Sequence, residues 1–597
     1  MTQPLTEPLT EPLTRLGKIY ALTQWKWYLG GIFALILTNI IVLEIPQLAK
    51  KVINAVAVKE NLDPLTSLSL AIVGLGLAQI LIRTTSRILI FWPGRTLEAA
   101  VKFDVFSNIL KTSTAALANF SIGDLTSRLN NDVTQLRIFF AFGALQVLNV
   151  IFISIFTVSK MFSIDSTLTV LAISPMFLML LITKAIMPKL HAAMRENTEA
   201  LGRLTGKISE SFSQVHVIQA MNAVEIMLER SKPDNDAIFN SNIRTVKLRT
   251  TIWPVMIVLI GISQFATLAW GGKLVIAGTL TVGDIMAFNI YIGMLTFPFA
   301  SLGIILNVYQ RAKPAAERLE TLTNLPVEGI VVHESASTSG GLTATNISLA
   351  SAKIILDVSH VSLRWPDGRI GLDDVSFTVA EGERVGIFGS IGSGKSTLFN
   401  ILTRLQQQDQ GQITLEGKNT LALKPEMVRR SISYGLQQPL LFSESVRSNL
   451  GLGLDENEIT QEDLDKAARQ AHVYDDIMRL QNQWDTLIGE NGIKLSGGQK
   501  QRLALARLLL RPSKIIILDD VLSAVDHETE HRLIKNLLET KTALVIASHR
   551  VSILEPCDKI LVLKNGRLVA SGKFKDIKHL VEASELDEPN QITGETP

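Results

Sequence analysis

The stretch Arg384-Val385-Gly386-Ile387-Phe388-Gly389-Ser390-Ile391-Gly392-Ser393-Gly394-Lys395-Ser396-Thr397-Leu398-Phe399 decides the reading of the second half of this 597-residue chain. Its first five residues read as a buried strand running straight into a glycine-rich loop, and Lys395 onward opens a helix. Glycines let backbone N–H groups wrap a phosphate, and the helix start adds favourable partial charge. Lys395 is placed to neutralise outer phosphates and Ser396 to ligate Mg²⁺. A second apolar run, Ile515 to Leu518, presents Asp519 at its end, where a carboxylate can hold Mg²⁺ directly or through water. From about residue 352, strands alternate with helices in an α/β pattern.

The first half has a different character. Six apolar segments lie near 27–48, 66–92, 136–160, 166–188, 251–272 and 283–308. At ~1.5 Å per residue most are long enough to cross ~30 Å of hydrocarbon. The gaps between them alternate short and long, and the long ones (about 93–135 and 189–250) are polar and helix-compatible. They carry cations such as Arg195, Arg203, Lys207, Arg244 and Arg249, which places them and both chain ends in the cytoplasm. The hydrophobic fraction is 47%, which fits a membrane protein. A net charge of only +2 argues against a globally basic nucleic-acid binder. The single cysteine, Cys557, excludes an internal disulfide and reads as a small buried filler.

These features divide the chain into a disordered tail at 1–20, a transmembrane domain at 21–322, a linker at 323–351, an ATP-binding domain at 352–582 and an acidic tail at 583–597. The first tail rests on Pro4, Pro8 and Pro12, a four-residue period that cannot lie inside a helix. The linker rests on the Ser-, Thr- and Gly-rich run from Ser335 to Gly341.

Gly389 to Thr397, Leu495-Ser496-Gly497-Gly498-Gln499 and Ile515 to Asp520 together resemble the Walker A, signature and Walker B motifs of ATP-binding cassette (ABC) exporters. The resemblance covers nearly the whole chain apart from its tails. It implies an α-helical six-span transmembrane domain followed by an α/β P-loop ATPase domain with a smaller helical subdomain. It implies ATP and Mg²⁺ as ligands, with Gly389, Ser390, Gly392, Ser393, Gly394, Lys395, Ser396 and Thr397 around the phosphates. Trp365 takes the place of the aromatic that stacks on adenine, and Gln437 matches the glutamine that senses Mg²⁺. His549 matches the switch histidine, and Leu522 to Asp526 match the D-loop. Ser396, Gln437 and Asp519 are the implied metal ligands, and Asp520, His549 and Gln437 the catalytic set.

In this family the signature of one ATPase domain caps ATP held by another, so Ser496, Gly497, Gly498 and Gln499 belong to a partner's site. One Walker A and one signature imply a half-transporter that must dimerise. A glutamate normally follows the Walker B aspartate, whereas here Asp520 is one methylene shorter. Since a misplacement of ~1 Å can cost ~10²-fold in rate, this site is expected to bind ATP and hydrolyse it slowly. The resemblance is to the aspartate-bearing half of heterodimeric exporters. A homodimer with slow turnover, or an ATP-gated regulator or channel, are the alternatives.

Gly123 to Val133 resembles the first intracellular loop of exporters, with a short coupling helix near Phe120 and a second expected at about 213–221, where Gln214 replaces a common glycine. Glu44 is expected at an interface, and Arg83 and Arg87 share one helix face toward the cytoplasmic end of the second segment. The resemblance gives the substrate class as a lipophilic small molecule or lipid, and the place as the inner membrane among membrane lipids.

Overall fold

The computed structural model describes residues 12–57, 63–326, 353–365, 367–455, 457–489, 495–522 and 527–578. Contacts divide the chain into two units, Met1–Leu110 with Phe120–Leu325 and Lys111–Asn119 with Pro326–Pro597.

Among the described residues the regular elements of the first unit are all helical. Each apolar segment falls on one long helix: Trp25–Ala57, Asp63–Lys111, Ile122–Ile164 with two π-helical turns inside it, Ser166–Ser213, Val224–Ile276 and Val282–Thr323. Among the described residues five are long and apolar enough to cross a membrane, and in the fourth helix the apolar portion is the shorter Ser166–Leu178. A helix of 53 residues, such as Val224–Ile276, spans ~80 Å, so it must run well beyond any hydrocarbon layer. Large apolar side chains stand bare along the spans, Leu81 and Phe265 among them, as expected where lipid is the solvent.

The expected tail at 1–20 needs correction from Pro12 onward. Pro12–Leu16 is helical, and a π turn follows over Gly17–Ala21. Proline is tolerated in a first helical turn, where its missing N–H has no partner to lose. Leu13 and Leu16 are buried in a core with Leu97, Val101, Leu136, Ala312 and Leu319, and Arg15 pairs with Glu320 at 2.8 Å. That apolar contact, invisible in a proline count, holds the segment.

Polar ties stitch the bundle. Arg318 grips Asp132 with two donors, at 2.8 and 2.6 Å, and Arg128 donates to the Arg318 carbonyl at 3.0 Å. The loop motif around Gly123 to Val133 is thus fixed to the last span. Elsewhere Lys50 pairs with Asp284 at 2.5 Å, Asn54 accepts from Gly283 N–H at 3.0 Å, and Lys160 reaches Glu44 at 2.9 Å. Gln214 has φ −116°, a conformation any residue adopts, so no glycine is needed before the short helix Val215–Ala220.

The second unit holds two sheets, built from β1 (Ile354–Arg364), β2 (Ile370–Ala380), β3 (Arg384–Phe388), β4 (Gln410–Leu415), β5 (Lys418–Asn419), β6 (Ile432–Gly435), β7 (Ile515–Asp519), β8 (Ala543–Ala547), β9 (Lys559–Lys564) and β10 (Arg567–Gly572). The smaller sheet is antiparallel in the order β2-β1-β4-β5. The larger runs β10-β9-β3-β8-β7-β6, with every pairing parallel except β10 with β9. Every residue of β7 and β8 is buried, as a parallel sheet covered on both faces requires. Each fully buried Val, Leu or Ile contributes about 1.5–3 kcal/mol, so these short strands are held by burial more than by length. A separate core of Leu441, Val446, Leu464, Ile477, Trp484 and Leu503 supports the helical part, which includes Gln461–Gln470, Tyr474–Met478 and Gly497–Leu510. Lys111–Asn119 belong to this unit by their contacts: the helix Thr114–Leu117 is capped by Ser113, and Thr114 donates to the Leu405 carbonyl at 2.9 Å. Residues 327–351 of the expected linker, 523–526 of the D-loop stretch and the acidic tail at 583–597 lie outside the described residues.

Candidate nucleotide site

Four neighbouring parallel strands, β3, β8, β7 and β6, release their chains at one edge of the large sheet. Out of β3 comes the glycine loop, out of β8 come Ser548 and His549, out of β7 Asp520, and out of β6 Gln437. Ligands of open α/β sheets sit outside the carboxyl ends of strands, and here a cleft of about 670 Å³ opens at that edge. It is lined by Trp365, Gly389 through Thr397, Gln437, Asp519, Asp520 and His549. Sequence positions nearly two hundred residues apart are thereby brought together.

The loop is shaped by its glycines. Gly394 has φ +106°, and a Cβ there would meet the Gly371 carbonyl at 2.8 Å. A Cβ on Gly389 would lie 2.5 Å from the Leu563 carbonyl. Helix Lys395–Leu402 starts directly at this turn, so its first N–H groups face the cleft without a side-chain cap. The Ser393 hydroxyl is buried and unpartnered in the protein, a donor a phosphate oxygen would satisfy. Lys395 donates to the Gly389 and Ser390 carbonyls at 2.6 and 2.9 Å, so its ammonium lies against the loop that would hold the phosphates.

Asp519 is buried and accepts from Ser396 at 2.6 Å and from Tyr434 at 3.3 Å on the same oxygen, Oδ2. Two hydroxyls thus converge on one carboxylate oxygen. No group of three His, Cys, Asp or Glu that could hold a metal occurs among the described residues. This donor set fits Mg²⁺, which takes one or two carboxylates and fills its octahedron with phosphate oxygens and water.

Asp520 has φ +48°, in the left-handed region, and its N–H donates to the Ala547 carbonyl at 3.0 Å. Its carboxylate stands 3.4 Å from His549 Nδ1. Burial raises its pKa, the Asp519 charge adds to this, and His549, Arg550 and Lys395 oppose it. The His549 side chain is 62% exposed, so it is available to a ligand. Trp365 lines the cleft while also packing on the sheet core, and it shapes the β1–β2 turn through its N–H to the Arg369 carbonyl at 2.8 Å.

Ser496, Gly497, Gly498 and Gln499 do not line this cleft. They start the helix Gly497–Leu510 in a capping box: Ser496 Oγ accepts from Gln499 N–H at 3.3 Å, and Gln499 Oε1 accepts from Ser496 N–H at 2.9 Å. Sequence reasoning missed Tyr434, whose hydroxyl reaches Asp519 because β6 pairs with β7 in a register that sets Tyr434 opposite Ile517. Burial and the nearby Asp519 carboxylate raise the Tyr434 pKa, which keeps it a donor. It also missed Arg369 and Ser548 on the cleft wall.

Comparison with known proteins follows the same division. The family model "ABC transporter" matches residues 372–523, and "ABC transporter transmembrane region" matches 28–299. The probable multidrug resistance ABC transporter ATP-binding/permease protein YheI of Bacillus subtilis (strain 168) is 31% identical over 82% of this chain and 82% of its own length. The chain belongs to the ABC transporter family. Its helical transmembrane domain is followed by an α/β ABC ATPase domain, so this ABC transporter is a multi-pass membrane protein that binds ATP. The multidrug resistance-like ATP-binding protein MdlA of Buchnera aphidicola subsp. Schizaphis graminum is similar at 29% identity over 94% of the chain and 95% of that protein. A bacterial Atm1-family ABC exporter solved with ATP bound shares the transporter's fold, with a TM-score of 0.76 at 21% identity, over 95% of this chain and 99% of that one. With one transmembrane domain and one ATPase domain, this transporter is a half-transporter.

Proposed function

We propose that this half-transporter exports a lipophilic small molecule or lipid across the inner membrane, driven by ATP, as one half of a heterodimer whose own cleft hydrolyses slowly. Relatives named for multidrug resistance support the substrate class. The observation that carries the slow site is Asp520, a short carboxylate following Asp519 at the strand end, at the wall of the phosphate loop.

In this reading the loop amides and Lys395 would bind the triphosphate, Ser396, Asp519 and Gln437 would hold Mg²⁺, and Trp365 would stack on adenine. Bound Mg²⁺ would supply charge neutralisation between the outer phosphates. Asp520 orients the attacking water and His549 contacts the γ-phosphate. An aspartate held at φ +48° and within reach of His549 points its carboxylate along the cleft wall, where it stops about one bond length short of a glutamate's reach. ATP therefore persists here and keeps the two halves together, while Ser496–Gln499 complete the partner's faster site. Both termini and the long loops face the cytoplasm, where ATP is.

Inside-out vesicles carrying the transporter test the export reading. A lipophilic cationic dye should accumulate against its gradient only with ATP and Mg²⁺, and Lys395→Ala should abolish this. Movement that stops at equal concentrations would instead describe a gate.

A further inference from the structure

We infer that Asp476 is a positioning residue that sets the seat offered by the signature motif to nucleotide. The inference rests on the reading that Ser496–Gln499 cover the partner half's ATP, and it adds a residue that no signature pattern contains.

The capping box leaves Gln499 with its carbonyl oxygen committed to the Ser496 N–H and its amide NH₂ free. That NH₂ donates to Asp476 Oδ1 at 3.0 Å. The other Asp476 oxygen takes Arg502 at 3.1 Å, and Arg502 also donates to the His472 carbonyl at 2.5 Å. One carboxylate thus grips the first and second turns of the signature helix at Gln499 and Arg502. Both ionic side chains are more than four-fifths covered, Asp476 at 19% and Arg502 at 18% exposure, so water competes weakly for them.

The platform that carries Asp476 is itself fixed. Its helix, Tyr474–Met478, is held by the Arg469 guanidinium lying 3.6 Å from the Tyr474 ring centroid and by Tyr474 packing on buried Trp484. Ile477 enters the subdomain core. With Gln499 clamped at both ends of its amide, Ser496 keeps one rotamer and the Gly497 and Gly498 N–H groups keep one direction. Without Asp476, the Gln499 amide loses its second anchor and the cap can rotate. A seat that must meet a γ-phosphate tolerates little rotation.

The test uses the full-length transporter assembled with its partner half in lipid nanodiscs. Asp476→Ala should lower kcat for ATP about tenfold, with fluorescent-nucleotide affinity of this chain's own cleft unchanged. Asp476→Glu should recover part of the loss. Because Asp476 acts through Gln499, the Asp476→Ala/Gln499→Ala double variant should be no slower than Gln499→Ala alone. Unchanged kcat in Asp476→Ala, additive losses in the double variant, or a parallel loss of own-cleft nucleotide binding would each overturn the inference. Ser496→Arg separates the two levels of the argument. If it leaves hydrolysis intact, the trans-acting signature fails and the inference falls with it. If it stops hydrolysis while Asp476→Ala does not, only the positioning role of Asp476 is lost.

Discussion

At the scale of residues, the proposed slow hydrolysis at this chain's own cleft turns on one methylene. Asp520→Glu should speed hydrolysis of the ATP held at this chain's own cleft by about tenfold or more, since an added CH₂ would carry the carboxylate toward the water; the rate at which labelled ATP retained in that cleft turns to ADP measures it, and an unchanged rate contradicts the slow-site reading. Gly394→Ala should abolish nucleotide binding in an equilibrium titration, because φ +106° and the Gly371 carbonyl both reject a side chain. Retained affinity would mean the loop is not the phosphate cradle. Cys557 should be silent. Burial, with the Asp558 charge behind it, pushes its thiol up to about 12, so it stays protonated at neutral pH. Maleimide should label it only after unfolding, and labelling of the native transporter would refute its burial.

At the scale of elements, the Arg318–Asp132 clamp ties the Gly123 to Val133 loop to the last span. Asp132→Ala removes both acceptors and should cost about 1–3 kcal/mol locally. Limited proteolysis should cut the loop faster, and an unchanged digestion rate would show the clamp to be idle. These elements also show what sequence can and cannot tell. The P-loop and β7 were legible because each is a short apolar strand ending in a residue with one chemical job. The long helices were legible from apolar runs, and the long gaps read as helix-compatible, but where each helix ends was not, since exposed pairs such as Arg244–Glu196 along those polar stretches have no period. Helix Pro12–Leu16 was misread because two leucines found a distant core. Tyr434 and Asp476 were missed for a related reason. Each reaches its partner through strand register or helix packing, which no local motif encodes.

At the scale of the whole molecule, a chain with one phosphate loop and one signature that do not share a cleft is complete only with a second ATPase domain. If that second domain belongs to an unlike half, the two sites of the assembly differ in rate, and ATP at the Asp520 site outlasts many turnovers of the other. The direct measurement is ATPase activity of the purified chain alone beside the same chain co-purified with its partner half, combined with a count of ATP retained per complex after a chase with unlabelled nucleotide. The account predicts near-background hydrolysis by the lone chain, brisk hydrolysis with the partner, and one labelled ATP kept per complex. Equally brisk hydrolysis by the lone chain, with no ATP retained, would contradict it.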